Sequence, residues 1–112
     1  MKYKNFLITG VCGTIGSALL NYLISNFKNI TITGLDNNEE KLFFLSSRYN
    51  SKNISLNYCD IKDYNSVNNL FENIDIVFHT AALKHVIFCE KSPIQGIENN
   101  ILGLNNLLRA AH

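Results

Sequence analysis

The sequence predicts an α/β fold in which four parallel strands alternate with four helices. Short apolar runs alternate with longer segments whose apolar residues recur at helical spacing, and a glycine cluster lies where the first run meets the first such segment. Strands that alternate with helices form a parallel sheet with helices on its faces. Right-handed crossovers then give the strand order 3-2-1-4, which is the first half of a doubly wound sheet.

The predicted strands are short apolar runs that cover residues 6–9, 30–33, 54–58 and 74–79. The first strand runs into the glycine cluster, the second into the sequence L-D-N-N, and the third into Asp60. Ligands of open parallel sheets bind at the carboxyl ends of the strands. Site residues are therefore expected in these three loops.

Three helices are predicted over residues 15–27, 39–49 and 64–71, and a fourth begins at Pro93, which suits a first helical turn. Each helix is expected to bury one apolar side. These sides are Ile15, Leu19, Leu20, Leu23, Ile24 and Phe27; Leu42, Phe43 and Leu45; Val67, Leu70 and Phe71; and Ile94, Ile97, Ile101, Leu104, Leu107 and Leu108. The last pattern is still running at His112, so residues 1–112 are expected to form one domain that is incomplete at its C-terminus.

Composition excludes several classes of protein. A chain of 112 residues suits one domain, and 46% hydrophobic against 17% charged residues excludes disorder. A net charge of +1 predicts no binding to nucleic acid or to an anionic membrane. No apolar run approaches the roughly 20 residues of a membrane span, and the N-terminus lacks a secretory signal, so a cytoplasmic protein is expected.

The cysteines and histidines show neither disulfide nor metal-ligand spacing. They are Cys12, Cys59, Cys89, His79, His85 and His112. The odd number of cysteines and the lack of a C-x-x-C pair predict reduced thiols. No metal site is expected.

The strongest local signal is the sequence T-G-V-C-G-T-I-G at residues 9–16, between the first strand and the first helix. Gly10 permits a tight turn, Gly13 lets the backbone approach a pyrophosphate, and Gly16 lets the helix pack close to the sheet. Free N–H groups and the helix dipole favour the diphosphate charge. The expected cofactor contacts are Gly10, Cys12, Gly13, Thr14, Ile15 and Gly16; the alternative is a plain tight turn.

Asp36 lies just past the second strand, twenty residues after Gly16. A carboxylate there accepts hydrogen bonds from the adenosine ribose hydroxyls and repels a 2′-phosphate, which favours NAD over NADP. Asn37 beside it is a further candidate contact. Two alternatives stay open: Asp36 can be a solvated turn residue, and the neighbouring Lys41 and Arg48 could serve a 2′-phosphate.

Asp60 and Ile61 end the third strand, where the strand order would place the adenine. The carboxylate could accept the adenine amino group while Ile61 packs on the ring. The alternative is a helix N-cap at Asp60 or Asp63. Tyr58 and Lys62 match the text Y-x-x-x-K, but Tyr58 ends a predicted strand, so the two side chains should diverge rather than share a helical turn.

Together these residues resemble the extended short-chain dehydrogenase/reductase superfamily, whose pattern they follow in order from residue 9 to the H-T-A-A sequence at 79–82. Residues 81–86, A-A-L-K-H-V, followed by Glu90 and Pro93, resemble its polysaccharide-biosynthesis branch. The sequence N-N-I-L-G at 99–103 is similar to the branch motif T-N-I-x-G, with Asn99 in place of threonine. That branch contains 4,6-dehydratases and epimerases that act on UDP-N-acetylglucosamine.

The resemblance implies a Rossmann-type domain that binds NAD or NADP and, in the full-length family, a UDP-N-acetylhexosamine oxidised transiently at C4. Ala81 and Ala82 would run along the nicotinamide ribose, and Asn100 would brace the sheet from the last helix. Lys84 and His85 would lie on the substrate side; the alternative for both is an ordinary loop position.

No catalytic residue is assigned, because the family's Tyr and the Lys four residues after it would follow residue 112. The chain alone is therefore expected to be inactive, and a dinucleotide-binding module or relic without catalysis is the alternative function. A Rossmann-like methyltransferase domain is disfavoured by the glycine spacing. The apolar circumference of the last helix makes a homo-oligomer a further expectation.

Overall fold

The computed structural model describes residues 3–80, which contain the four predicted strands and the first three helices. The elements are β1 (Asn5–Thr9), α1 (Thr14–Asn26), β2 (Thr31–Asp36), α2 (Glu39–Arg48), β3 (Ile54–Tyr58), α3 (Tyr64–Leu70) and β4 (Ile76–His79). The strands, α1 and α2 belong to one structural unit, and residues 59–72 with α3 belong to a second. The helix predicted from Pro93 lies outside the described residues.

The four strands form one parallel sheet in the order β3-β2-β1-β4. The predicted Rossmann-type architecture and strand order are thus confirmed. Thr9 is in register with Leu35 on one side and His79 on the other. The carboxyl ends of β1, β2 and β4 therefore lie level, and the loops that follow them share one edge of the sheet.

Strand β2 extends three residues beyond the predicted 30–33 segment, through Gly34 to Asp36. Gly34 interrupts the apolar pattern that predicts a strand, yet its missing side chain is what the packing needs. A Cβ there would lie 2.8 Å from both Leu56 Cδ2 and Val11 Cγ2. The extension carries Asp36 up to the level of the glycine turn.

One hydrophobic cluster joins the sheet to the buried sides of α1 and α2. Its buried members are Phe6, Ile8, Val11, Leu20, Leu23, Ile30, Ile32, Leu42 and Leu45. Leu7, on the alternate side of β1, is also completely buried. Burial on both faces explains why β1 is a continuous apolar run rather than an alternating one.

Three aromatic or aliphatic side chains predicted to face the core are instead exposed. Phe43 on α2 is 71% exposed, Ile15 at the start of α1 is 59% exposed, and Phe27 after α1 is 37% exposed. Leu42 and Leu45 set the buried side of α2, and Phe43 is turned about 100° from Leu42 around the helix axis. Phe43 contacts Phe44 edge-to-face with ring centroids 5.8 Å apart.

The amino end of the β1–β4 pair is held by a carboxylate. Asp75 Oδ2 accepts the backbone N–H of Lys4 at 3.0 Å and that of Asn5 at 2.9 Å. The Asp75 N–H in turn donates to the Asn5 carbonyl at 2.8 Å. The two donors to its side chain lower the pKa of Asp75 below its ordinary value.

Within residues 3–80, no helix combines the length and the apolar character that crossing a bilayer requires.

An added methyl group should be tolerated less well at Gly16 than at Gly34. In Gly16→Ala the new Cβ would lie 2.1 Å from the Gly10 carbonyl oxygen, which is backbone, whereas in Gly34→Ala it would meet only side-chain atoms. We expect Gly16→Ala to lower the free energy of unfolding by about 1–3 kcal/mol, the usual range for overpacking, and Gly34→Ala to lower it less. Urea unfolding of both variants measures the difference, and equal losses would contradict this account of the turn.

Candidate functional site

The turn after β1 is built around the carbonyl group of Gly10. Gly10 has a φ of 65°, a left-handed conformation that glycine adopts without strain. Its carbonyl accepts the Gly13 N–H at 3.0 Å and closes the turn. The Val11 N–H donates to the Leu35 carbonyl at 3.2 Å, and the Val11 side chain is completely buried, so the turn is fixed to β2 and to the core.

Gly13 and Gly16 are glycines for different reasons. At Gly16 a Cβ would collide with the Gly10 carbonyl, so the close approach of α1 to the turn requires glycine. At Gly13 the φ of −72° suits any residue, and a Cβ would meet only the Gly10 oxygen, at 3.3 Å. That contact is tight but far less severe than the one at Gly16, so the fold alone places a weaker demand on Gly13 than on Gly16.

Helix α1 begins at this turn without a side-chain cap among the described residues. Thr14, Ile15 and Gly16 are its first three residues, and N–H groups in a first turn have no partner within the helix. Thr14 and Ile15 are exposed. By contrast, α2 is capped by Asn38, whose Oδ1 accepts the Lys41 N–H at 3.0 Å. The start of α1 thus offers unfilled donors and the positive end of the helix dipole to an anion.

Asp36 links the end of β2 to the glycine turn. Its Oδ2 accepts the Cys12 N–H at 3.0 Å, and its Oδ1 accepts the Asn38 N–H at 3.0 Å. The Cys12 thiol also hydrogen-bonds the Asp36 side chain. A carboxylate offers about four acceptor positions, so these three contacts leave capacity for a hydroxyl donor of a ligand. Asn37, beside it, is exposed.

A shallow pocket of about 180 Å³ lies between the start of α1 and α2. Its lining consists of Cys12, Ser17, Lys41, Phe44, Leu45 and Arg48. Burial, and then the charge of Asp36, raise the pKa of the Cys12 thiol to about 11, so the thiol is protonated at neutral pH. Lys41 and Arg48, the two cationic residues considered for a 2′-phosphate in the sequence analysis, therefore line one pocket beside the glycine turn.

At the end of β4, side chains tie the strand to β1 and to the turn. Thr9 is completely buried, and its Oγ1 lies 2.7 Å from His79 Nδ1. The Thr80 N–H donates to Thr9 Oγ1 at 2.9 Å. The single O–H of Thr80 is shared between two acceptors, the Thr9 carbonyl, which is nearer, and the Gly10 carbonyl at 3.2 Å. Partial burial lowers the pKa of His79 below its usual 6.5, so its ring is neutral at neutral pH.

Asp60 and Ile61 belong to the second unit, where Asp60 forms a local turn. Asp60 Oδ1 accepts the Lys62 N–H at 3.0 Å, and Lys62 Nζ lies 3.9 Å from Asp60 Oδ2. Asp63 occupies the N-cap position of α3, but its carboxylate accepts the Ser66 hydroxyl at 2.8 Å instead of a backbone N–H. Ile61 is buried. The N-cap position of α3 is therefore Asp63 and not Asp60, and the proposed contact of Asp60 with adenine stays a prediction.

Tyr58 is the last residue of β3 and Lys62 lies in the turn after it, so they do not share a helical turn. Five predicted contacts, Ala81, Ala82, Lys84, His85 and Asn100, lie outside the described residues. Cys12 and Cys59 are free thiols. No group of three metal-ligating side chains occurs within residues 3–80.

Residues 6–112 match the family described as polysaccharide biosynthesis protein. The chain belongs to this family. The match covers the glycine turn, Asp36 and the whole segment after β4, so the resemblance stated from the motifs is confirmed.

Curated relatives match almost the whole chain but only a third of their own length. The chain is 40% identical to a UDP-glucose 4-epimerase of Rickettsia bellii, over 96% of the chain and 33% of that protein. It is 35% identical to a UDP-N-acetylglucosamine 4,6-dehydratase (inverting) of Campylobacter jejuni, over 96% of the chain and 32% of that protein. A relative from Methanocaldococcus jannaschii, described as the uncharacterized membrane protein MJ1061, is 39% identical over 98% of the chain and 33% of its own length.

Solved structures show the same fold. Pen from Bacillus thuringiensis superposes with a TM-score of 0.90 at 37% identity, covering 99% of this chain and 35% of that one. The Bordetella bronchiseptica enzyme WbmH, solved in complex with NAD+, superposes with a TM-score of 0.74 at 28% identity, covering 96% of this chain and 34% of that one.

Sequence analysis missed the contributions of Val11 and of the hydroxyl of Thr80 to the site. The burial of Val11 could be predicted from the sequence, because an apolar residue inside a glycine turn indicates that the turn packs on the core. Thr80 stands in the H-T-A-A sequence at 79–82, but that motif does not indicate its contact with Gly10, which lies 70 positions away in the sequence.

Lowering the pH should destabilise this end of the sheet through His79. A folded-state pKa below the unfolded value means that the unfolded chain binds more protons, so stability is present above about pH 6.5 and is lost as the pH falls. In His79→Asn the side-chain oxygen can still accept from Thr9, but nothing titrates. We expect the free energy of unfolding to fall more steeply for the parent than for His79→Asn between about pH 7.5 and about pH 5.5. Parallel pH profiles from urea unfolding would contradict this role of His79.

Proposed function

We propose that the chain is the NAD-binding part of a nucleotide-sugar dehydratase or epimerase of polysaccharide biosynthesis. One observation carries the proposal: the glycine turn at Gly13, the uncapped start of α1 and the carboxylate of Asp36 lie together at the carboxyl edge of the sheet. The named relatives are an epimerase and a dehydratase, and a structural neighbour binds NAD+.

The described residues fit a dinucleotide. Its diphosphate would lie over Gly13 and accept hydrogen bonds from the N–H groups of Thr14 and Ile15. Its adenosine ribose hydroxyls would donate hydrogen bonds to the remaining acceptor positions of the Asp36 carboxylate. Gly10 and Gly16 hold the turn in the shape that this contact needs, and Cys12 contributes the backbone N–H that orients Asp36.

The charges favour NAD over NADP. The Asp36 carboxylate attracts ribose hydroxyls and repels a 2′-phosphate at the same place. Lys41 and Arg48 line the pocket beyond Cys12, where they offset part of that repulsion. We therefore propose a preference for NAD without strict exclusion of NADP.

When bound, the nicotinamide would supply the chemistry, accepting a hydride from C4 of the sugar. The proposed substrate is a UDP-N-acetylhexosamine, with Lys84 and His85 on its side of the cleft and Ala81 and Ala82 along the cofactor, as in the resembling family. Asp60 and Ile61 would contact the adenine, and Asn100 would brace the sheet. We propose a cytoplasmic location and a homo-oligomer for the full-length enzyme.

The chain spans about a third of the length of the relatives it matches, so the activity of the whole protein is part of the proposal. The 112 residues alone are proposed to bind the cofactor without turning over a sugar. Formation of a 4-keto sugar by these residues, with no added partner, would contradict that.

Replacing Gly13 should abolish cofactor binding while leaving the fold intact. The side chain of Gly13→Val enters the space assigned to the diphosphate, and the backbone there suits any residue. We expect no measurable NAD binding by isothermal titration calorimetry and a thermal midpoint close to that of the parent. Ala18→Val adds a β-branched side chain at an exposed position on α1 and should leave NAD affinity unchanged. Unchanged affinity in Gly13→Val would overturn the assignment of the turn.

Removing the Asp36 carboxylate should weaken NAD binding and relax the choice of dinucleotide. Hydrogen bonds to a charged group contribute about 1.5–3 kcal/mol, so Asp36→Ala should weaken NAD binding roughly ten- to hundredfold. Glu39→Gln removes a nearby negative charge from the first turn of α2 and serves as the control for general electrostatics. Competition titrations with NAD and NADP measure both effects. A preference of the parent chain for NADP would contradict the role proposed for Asp36.

A further inference from the structure

The Gly10 carbonyl receives hydrogen bonds from two different elements. From its own turn it accepts the Gly13 N–H at 3.0 Å. From the end of β4 it accepts the longer branch, at 3.2 Å, of a hydrogen bond whose single Thr80 hydroxyl proton it shares with the nearer Thr9 carbonyl. The oxygen also faces Gly16 so closely that a Cβ there would lie 2.1 Å away.

We propose that Thr80 is a positioning residue for the dinucleotide-binding turn, acting through its hydroxyl on the carbonyls of Thr9 and Gly10. The proposal rests on the function proposed above, since the positioned group is the turn that would hold the diphosphate. Thr80 itself does not need to touch the cofactor.

The position of Thr80 explains why the hydroxyl acts on the turn and not only on the sheet. The Thr80 N–H continues the β1–β4 ladder by donating to the Thr9 carbonyl at 3.2 Å and to Thr9 Oγ1 at 2.9 Å. Any residue except proline keeps the first of these bonds. The bond to Gly10 lies one residue beyond the last paired strand residue and depends on a β-hydroxyl.

Displacement of the Gly10 carbonyl would also shift Gly13. The turn closes through the hydrogen bond from the Gly13 N–H to the Gly10 carbonyl, and α1 starts directly after it. Fixing the carbonyl before the ligand arrives therefore fixes the direction of the N–H groups that follow. Such preorganisation is a contribution to affinity that no contact with the ligand reveals.

The test compares side chains that differ by one hydroxyl. Thr80→Val keeps the shape and removes the hydroxyl, Thr80→Ser keeps the hydroxyl, and Thr33→Val removes a threonine hydroxyl from the middle of β2 as the matched control. One hydrogen bond contributes about 0.5–1.5 kcal/mol, so we expect Thr80→Val to weaken NAD binding roughly two- to tenfold. Thr80→Ser should restore the parent affinity, and Thr33→Val should leave it unchanged.

A second measurement needs no cofactor. Amide hydrogen exchange at Gly13 reports how often the hydrogen bond to the Gly10 carbonyl opens. We expect the Gly13 amide to exchange faster in Thr80→Val than in the parent or in Thr80→Ser. If Thr80→Val does not fold, Thr80→Ala against Thr80→Ser gives the same one-hydroxyl comparison. Equal exchange at Gly13 in the parent and in Thr80→Val, or failure of Thr80→Ser to restore it, would overturn the proposal. A parent chain that binds no NAD would refute the proposed function, while the exchange experiment would still decide the role of Thr80.

Discussion

The close approach of α1 to the first turn is the constraint on which this structure depends. The Gly10 carbonyl occupies the place where residue 16 would carry a Cβ, and this contact lets the helix start directly above the sheet edge. Once the helix starts there, its unfilled N–H groups and its dipole point at the space over Gly13. The buried Val11 side chain and the bond from the Val11 N–H to the Leu35 carbonyl of β2 hold the same turn in place.

The site is electrically asymmetric over a short distance. The start of α1 offers donors and a positive dipole end, whereas Asp36, one hydrogen bond away through the Cys12 N–H, offers a negative charge and free acceptor positions. A ligand that satisfies both halves must combine an anionic group with neighbouring hydroxyl donors. A nucleoside diphosphate has this combination, while a simple anion would be repelled by the second half of the site.

The element types and the glycine turn followed from the sequence because each depends on local pattern. The strand order followed from the general handedness of parallel crossovers. The buried side of α2 did not follow from local pattern. The adjacent Leu42 and Phe43 are both apolar, and only packing against the sheet decides that Leu42 turns inward. Gly34 shortened the predicted second strand, because its fit against Leu56 and Val11 is a tertiary contact. For the same reason the contacts of Thr80 and Asp75 with β1, about 70 residues away, could not be read from the sequence.

The pairing of β1 with β4 also constrains how the chain acquires this fold. β1 and β2 pair across about 26 residues, whereas Asp75 and Thr80 bond to partners 70 and 71 positions earlier. Closing so long a loop has a larger entropic penalty, and non-local pairing slows folding. A growing chain can therefore assemble β1, α1 and β2 well before β4 emerges to join them. The edge of β1 that β4 later covers stays open during that interval, and an open strand edge can pair with a strand of another chain.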